Sequence, residues 1–174
     1  MGVDTEPRAD GPVSGYATPE ERPPLGPYAA VTAAFNAGFA GALVAARASG
    51  RDLPERIGAG DVVLLGTASH KLSRLIAKDK ITSFVRAPFT RYQEQGGPSE
   101  LEESPRGAGL QRAIGELIAC PYCLGMWTSA GFHIGLLYAP RLTRLLASTF
   151  TALTISDFLQ IAYKAAEDKG LGGS

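Results

Sequence analysis

Two stretches of 24 residues without a charged side chain constrain the fold of this 174-residue chain more than any other feature. They cover residues 23–46 and 117–140. A helix of this length, at ~1.5 Å per residue, is long enough to cross the ~30 Å hydrocarbon layer of a membrane. A helix on the surface of a soluble domain normally carries charged residues on its outer face. The two stretches therefore predict an integral membrane protein built from helices.

The first stretch is only weakly hydrophobic, because alanine makes up much of it. Small residues recur at every fourth position, at Ala34, Gly38, Ala42 and Ala46. Such a stripe allows a second helix to approach closely, which is a main source of packing energy between membrane helices. An alanine-rich helix buried in a soluble protein is the alternative.

The second stretch is the stronger candidate for a membrane span. Gly131 and Gly135 form a Gly-x-x-x-Gly pair, which favours close packing in an apolar helix. Tyr138 and Pro140 mark one boundary, where aromatic residues prefer the membrane–water interface.

Two further helices complete the predicted architecture. Asp61 is suited to cap the first of them, and both carry apolar residues together with a few charges. We predict an all-α, small integral-membrane bundle of about four helices, at 28–47, 61–77, 117–139 and 142–166. Whether 61–77 and 142–166 span the membrane fully stays open.

The two ends of the chain are predicted to lie outside the bundle. Residues 1–27 hold six of the twelve prolines and few large apolar side chains, which predicts a disordered tail. The membrane helical domain then covers 28–166, and glycines in 167–174 predict a flexible tail.

The polar segment 78–112 contains an amphipathic stretch. Ile81, Phe84, Val85, Phe89 and Tyr92 fall near helical spacing, with Lys80, Arg86 and Arg91 expected on the other side. Such a segment can lie in the headgroup layer of an anionic leaflet. Pro88 interrupts a continuous helix, and an ordinary loop packed on the domain is the alternative.

Charge predicts the orientation. With four crossings, 12 of the 17 Lys and Arg residues lie on the side of the two termini, so the positive-inside rule places both termini in the cytoplasm of a cell membrane. Lys71 and Asp157 then lie at the same depth, where an unpaired charge is costly. We predict that they pair. Arg74 is the alternative donor, and Lys71 could instead extend to the interface.

Balanced charge, with 17 basic and 17 acidic residues, argues against a nucleic-acid partner. The expected partner is the lipid bilayer, including anionic lipids. A homo-oligomer or another membrane protein is a further option.

Several short motifs between His70 and Trp127 resemble a family of small bacterial membrane proteins, domain of unknown function 1360, in which one relative is similar to a sporulation protein. The resemblance implies a membrane location and no chemistry. The residues that carry it include Arg74, Asp79, Arg86, Pro88, Arg91, Tyr92, Glu116, Cys120, Pro121, Cys123 and Trp127.

Cys120 and Cys123 are the sharpest catalytic hint, because a Cys-x-x-Cys pair at a helix start can act in thiol–disulfide exchange. The long helical flanks do not fit the thioredoxin-like context, and a second cysteine pair is missing. A zinc site needs four ligands, and His133 lies ~15 Å along a helix from Cys123, so His70 could supply only a third. We therefore expect no catalytic residue, cofactor or metal.

The favoured function is a non-enzymatic membrane scaffold or assembly factor. A membrane thiol–disulfide or metal-dependent protein that uses Cys120 and Cys123 is the alternative. A wholly soluble helical protein is the third possibility.

Overall fold

The computed structural model describes residues 15–18 and 22–171, and within them the chain forms six helices and one two-stranded hairpin. The predicted all-α class holds for most of the chain, and the two strands depart from it. The elements are α1 (Leu25–Ala48), α2 (Ala59–Lys78), α3 (Ser83–Arg86), β1 (Thr90–Gln95), β2 (Leu101–Pro105), α4 (Gly109–Ile118), α5 (Pro121–Tyr138) and α6 (Pro140–Leu171).

The predicted helix at 117–139 is in fact two helices. It is interrupted at Ala119 and Cys120, between the end of α4 and the start of α5. Pro121 explains the break, because proline lacks an N–H group and pushes the preceding residue toward extended backbone. Cys120 has that conformation, with φ −107° and ψ 107°.

Other boundaries also differ from the prediction. Gly58 is the N-cap residue of α2, and Asp61 lies in the first turn, where its charge interacts favourably with the helix dipole. α1 begins at Leu25, inside the predicted tail, and α6 continues to Leu171, inside the predicted flexible end. Residues 1–14, 19–21 and 172–174 of the two predicted tails lie outside the described residues.

The hydrophobic core lies where α2, α5 and α6 meet. Its buried members are Leu65 and Ala68 of α2, Phe132 of α5 and Ala147 of α6. Phe132 also packs edge-on against Phe150. These side chains hold three of the four long helices together.

The α5–α6 contact depends on one of the two predicted packing glycines. A Cβ atom on Gly135 would lie 2.6 Å from Oγ1 of Thr143, whereas a Cβ atom on Gly131 would meet no atom within 4 Å. Gly135 therefore permits the close approach of α6, and Gly131 faces open space.

α1 packs on the outside of this core. The ring of Phe35 meets the ring of Trp127 edge-on at 5.0 Å, and the Tyr138 hydroxyl donates to the carbonyl of Ala42. Ala46 is fully buried, but Ala34 and Gly38 of the same predicted stripe are exposed.

The helices define two ends of the molecule. At the loop end, formed by residues 49–58 and the α5–α6 turn, Arg144 bonds to Asp61 and Arg51 donates to the carbonyl of Leu137. At the hairpin end, the Tyr28 hydroxyl donates to Glu116. Both the start of α1 and the end of α6 point toward the hairpin end.

Two helices of the described residues are long and apolar enough to cross a membrane. They are α1 and residues Pro140–Gly170 of α6, each with an 18-residue stretch whose mean hydropathy is 1.6 in α1 and 1.4 in α6. The sequence favoured the region of α5 most strongly as a membrane span, but α5 is not one of these two helices. Polar residues such as Thr128, Ser129 and His133 lower its mean hydropathy.

Candidate functional site

Three ion pairs join the end of α2 and the α3 turn to strand β2 and the residue before it. We call residues 79–118 the hairpin module. The acidic partners in these pairs lie within four consecutive positions, 100–103, whereas two of the basic partners are one helical turn apart on α2 and the third is on α3. The pairs are Arg74–Glu100 at 2.5 Å, Lys78–Glu102 at 2.7 Å and Arg86–Glu103 at 2.6 Å.

Arg86 is the centre of the module and is fully buried. Its Nε atom donates to Glu103, Nη1 donates to the carbonyl of Ile76 at 2.7 Å, and Nη2 donates to the carbonyl of Asp79 at 3.0 Å. The guanidinium thus satisfies carbonyl groups at the end of α2 that have no partner within the helix. The expectation that Arg86 belongs to an exposed basic face is wrong, because its side chain is buried and makes four hydrogen bonds to α2 and the module.

The loop before α3 is fixed locally. The Asp79 carboxylate accepts the backbone N–H of Ile81 at 2.8 Å, which closes a tight turn. In contrast to the buried Arg86, the side chains of Ile81, Phe84 and Val85 are exposed, with exposed fractions of 79%, 74% and 49%.

The α4 helix closes the module from the other side. Gln111 donates to the carbonyl of Pro88 at 2.9 Å, and the backbone carbonyl of Phe89 occupies the space that a Cβ atom on Gly115 would need. Pro88 therefore ends the predicted amphipathic helix and supplies an acceptor for α4.

Strands β1 and β2 form an antiparallel hairpin with an irregularity between Tyr92 and Glu94. Tyr92 is paired with Glu103, and Glu94 is paired with Glu102. Arg91 and Tyr92, both residues of the resemblance, have exposed side chains.

Glu116 connects the module to α1. It accepts hydrogen bonds from Arg112 on its own helix and from the hydroxyl of Tyr28 on α1. This places the hairpin end of α1 against α4.

The two cysteines mark the junction of α4 and α5. The Sγ atom of Cys120 accepts the backbone N–H of Cys123 at 3.2 Å, and the two Sγ atoms are 2.7 Å apart. Both are free thiols. Pro121 is the first residue of α5, a position that proline favours.

The predicted intramembrane residues lie outside the module. The Nζ atom of Lys71 is 2.6 Å from Oδ2 of Asp157, and Arg74 bonds to Glu100. His70 is exposed, and His133 bonds to the carbonyl of Ser129. Across the part of the chain that the structure describes, no three His, Cys, Asp or Glu side chains are grouped as a metal site would require.

Sequence reasoning missed the acidic half of the module. Glu100, Glu102 and Glu103 lie in the polar segment 78–112, where the sequence pattern predicts no strand. The sequence feature that indicates a turn here is the Gly96-Gly97 pair between two polar segments, which is typical of a hairpin. Without alternation of apolar residues, that signal did not identify the strands.

Residues 64–163, more than half of the chain, match the family described as "Protein of unknown function (DUF1360)". The chain belongs to this family. The matched region includes the hairpin module, the cysteine pair, Lys71 and Asp157.

Two curated relatives come from Bacillus subtilis (strain 168). The UPF0713 protein YngL is 32% identical over 83 residues, which are 46% of this chain and 60% of the relative. The sporulation protein YjcA is 37% identical over 76 residues, which are 42% of this chain and 64% of the relative. The chain thus spans about three fifths of the length of these relatives. No solved structure matches the chain.

Proposed function

We propose that the protein is a four-helix integral membrane protein with both termini in the cytoplasm, and that it acts as a non-enzymatic scaffold or assembly factor. One observation carries the membrane part. In the apolar 18-residue stretches of α1 and α6, only 6% and 11% of the residues, respectively, are buried inside the protein. A core helix of a soluble protein would hide such a surface from water, whereas lipid covers it at no cost.

The proposed membrane-embedded stretches are 28–46, 62–77, 124–138 and 145–161. With these stretches, residues 49–58 lie outside the cell and the hairpin module lies in the cytoplasm, as the excess of Lys and Arg at the hairpin end favours.

Membrane location is tested by carbonate extraction and by cysteine labelling. In a background with Cys120→Ser and Cys123→Ser, a membrane-impermeant maleimide should label Asp52→Cys in intact cells. It should label Gln95→Cys, on β1, only after permeabilisation. Release of the protein by carbonate, or the reverse labelling pattern, would contradict the proposal.

The hairpin module is the proposed contact with anionic lipid. Ile81, Phe84 and Val85 are held outward by a buried network, and Lys80 and Arg91 are exposed beside them in the sequence. Apolar side chains next to cations favour the headgroup layer of an anionic leaflet.

Hydrogen–deuterium exchange in nanodiscs tests this contact. Amides of residues 80–92 should be protected more by anionic than by zwitterionic lipid, and the double variant Lys80→Gln/Arg91→Gln should remove the difference. Equal exchange in both lipids for the unmodified protein would exclude the anionic contact.

The scaffold role is supported by how the polar groups of the hairpin module are used. Arg86, Glu103, Asp79 and Glu116 are all engaged in holding elements together. The sporulation relative suggests the process in which such a scaffold would act. We expect the Arg86→Met variant to lose the function of the protein in cells and the Cys120→Ser variant to retain it.

A thiol–disulfide function is the second candidate, because the Cys120 and Cys123 sulfur atoms are 2.7 Å apart. However, burial and the hydrogen bond to Cys120 raise the pKa of the Cys123 thiol to about 11, and thiolates, not thiols, attack disulfides. Loss of phenotype in Cys120→Ser at normal protein levels would favour this candidate over the scaffold.

A further inference from the structure

A cavity of about 460 Å³ opens at the loop end, far from the hairpin module. Four of the long helices and the 49–58 loop contribute to its wall. Its volume falls in the range of roughly 300–1,000 Å³ that is typical of small-molecule sites.

One side of the cavity is apolar. It is lined by Phe39 and Leu43 of α1 together with Ile134 and Leu137 of α5. Such a surface would hold the hydrocarbon or aromatic part of a ligand.

The other side carries opposite charges that do not pair with each other. Asp52 and Arg56 of the loop both line the cavity, and within residues 15–18 and 22–171 neither forms an ion pair or a side-chain hydrogen bond. By contrast, Asp61 and Arg144, which also line it, already bind each other at 2.8 Å.

His133 adds a ring nitrogen to the lining of the cavity. Its Nδ1 atom is 2.8 Å from the carbonyl of Ser129 and donates there, so the other ring nitrogen, Nε2, is the one left to bond a ligand.

We propose that this cavity binds a zwitterionic molecule with an apolar body. Asp52 binds its ammonium group, Arg56 binds its anionic group, and the α1–α5 wall holds the apolar part. Two sources share this chemistry, a free peptide with apolar side chains and the headgroup of phosphatidylethanolamine. The site is formed by the fold alone, so it does not depend on the proposed scaffold function.

Isothermal titration of the purified full-length protein in detergent tests the proposal with four probes. Leucyl-phenylalanine represents the free peptide, and N-acetyl-leucyl-phenylalanine amide has the same body without charges. Dihexanoyl phosphatidylethanolamine represents the lipid, and dihexanoyl phosphatidylglycerol carries only the anion. We expect at least one zwitterionic probe to bind at least tenfold more tightly than its matched control.

The loop charges provide the matched variants. Asp52→Asn and Arg56→Gln should each weaken binding of that probe at least tenfold, because each removes one half of the recognition. Asp168→Asn and Arg106→Gln, which make the same changes at exposed positions near the hairpin end, should leave binding unchanged.

Each outcome decides the matter. Binding of the dipeptide assigns the site to a free solute, binding of the ethanolamine lipid assigns it to the membrane, and binding of both supports the shared chemistry. The proposal is overturned if neither zwitterion binds, if the uncharged or anionic control binds equally well, or if both loop variants bind like the unmodified protein.

Discussion

The side chains of Lys71 on α2 and Asp157 on α6 meet at 2.6 Å, although 86 residues separate them in the chain. They lie in two of the proposed membrane-embedded stretches, where water is scarce and an unpaired charge is unfavourable. The exposed fractions of the two side chains, 21% and 47%, describe a surface that lipid would cover in the proposed arrangement. The pair therefore provides a test of whether lipid or water surrounds α2 and α6.

A double-mutant cycle measures this coupling. With Lys71→Met and Asp157→Asn, we expect an interaction free energy above about 1 kcal/mol, the upper end for ion pairs in water. The measurement is the free energy of unfolding in lipid-containing micelles. Each single variant should be less stable than the double variant, because each leaves one charge unpaired.

Asp61 and Arg144 form the matched control, since they join the same two helices at the loop end. The Arg144 guanidinium holds the pKa of the Asp61 carboxyl below its usual value, mainly through their hydrogen bond. Any stability from this pair is present above the ordinary carboxylate pKa and is lost as pH falls through the lowered value. The interaction free energy between Asp61 and Arg144 should be smaller than that between Lys71 and Asp157, and it should decrease as the salt concentration rises. Equal couplings would mean that both pairs are in water.

Breaking the buried Arg86–Glu103 pair should destabilise the hairpin module strongly. In Arg86→Met the Glu103 carboxylate and the carbonyls at the end of α2 lose their donor, and we expect a loss of about 3–5 kcal/mol. Arg86→Lys should not restore stability, because an ammonium group cannot replace the planar fork of donors. Chemical unfolding followed by circular dichroism gives the free energies.

The double variant Arg86→Met/Glu103→Leu separates a lost charge pair from lost packing. It should be more stable than Arg86→Met alone, because it leaves no buried charge without a partner. Arg106→Gln, an exposed arginine of the same module, should change stability by less than about 0.5 kcal/mol. A double variant no better than Arg86→Met would show that packing dominates.

The strand register places two glutamates in directly opposed positions, and removal of the one that has no cationic partner among the described residues should stabilise the protein. Glu94 lies opposite Glu102, and like charges in directly paired positions repel. Glu94→Gln should raise the free energy of unfolding by about 0.2–1 kcal/mol, whereas Glu55→Gln, at an exposed loop position, should not. A destabilised Glu94→Gln variant would mean that Glu94 has a favourable role.

The two glycines of α5 predict opposite responses to alanine. Gly135→Ala brings a Cβ atom to 2.6 Å from Thr143, and such overpacking costs about 1–3 kcal/mol. Gly131→Ala meets nothing and should be neutral or stabilising, because alanine favours the helix. Thermal unfolding of both variants is the measurement. Adding Thr143→Ala to Gly135→Ala should recover part of the loss, and failure to do so would exclude Thr143 as the cause.

Sequence patterns predicted the long helices well, because the charge-free stretches and the turn residues between them are local signals. Matching depths along α2 and α6 also predicted which charges would lie together, and Lys71 and Asp157 are in contact. The predicted span 117–139 continues through the break at Cys120, because the lack of charge continues through it, although the cysteine pair was correctly expected at a helix start.

The hairpin module could not be predicted from local patterns. Strand β1 has no alternation of apolar and polar residues, since its side chains are polar and mostly exposed. The stability of the hairpin module depends on contacts between residues that are distant in the chain, above all Arg86 and Glu103. An arginine near aromatic residues is more often exposed than buried. Nothing in its neighbouring residues indicates that Glu103, 17 residues further on, neutralises it.

The raised pKa of Cys123 predicts a specific pH profile for alkylation. Because the thiolate is the reactive form, the rate of Cys123 modification by iodoacetamide should increase with pH, with a midpoint at about pH 11. The midpoint for an ordinary cysteine is roughly pH 8.5. Mass spectrometry of the modified peptide distinguishes Cys123 from Cys120.

In Cys120→Ala the midpoint should fall, because the hydrogen bond and the charge of Cys120 are gone. It should stay above the ordinary value, because burial is the largest cause of the shift. A midpoint near neutral pH in the unmodified protein would instead identify Cys123 as a reactive thiolate and favour the thiol–disulfide function.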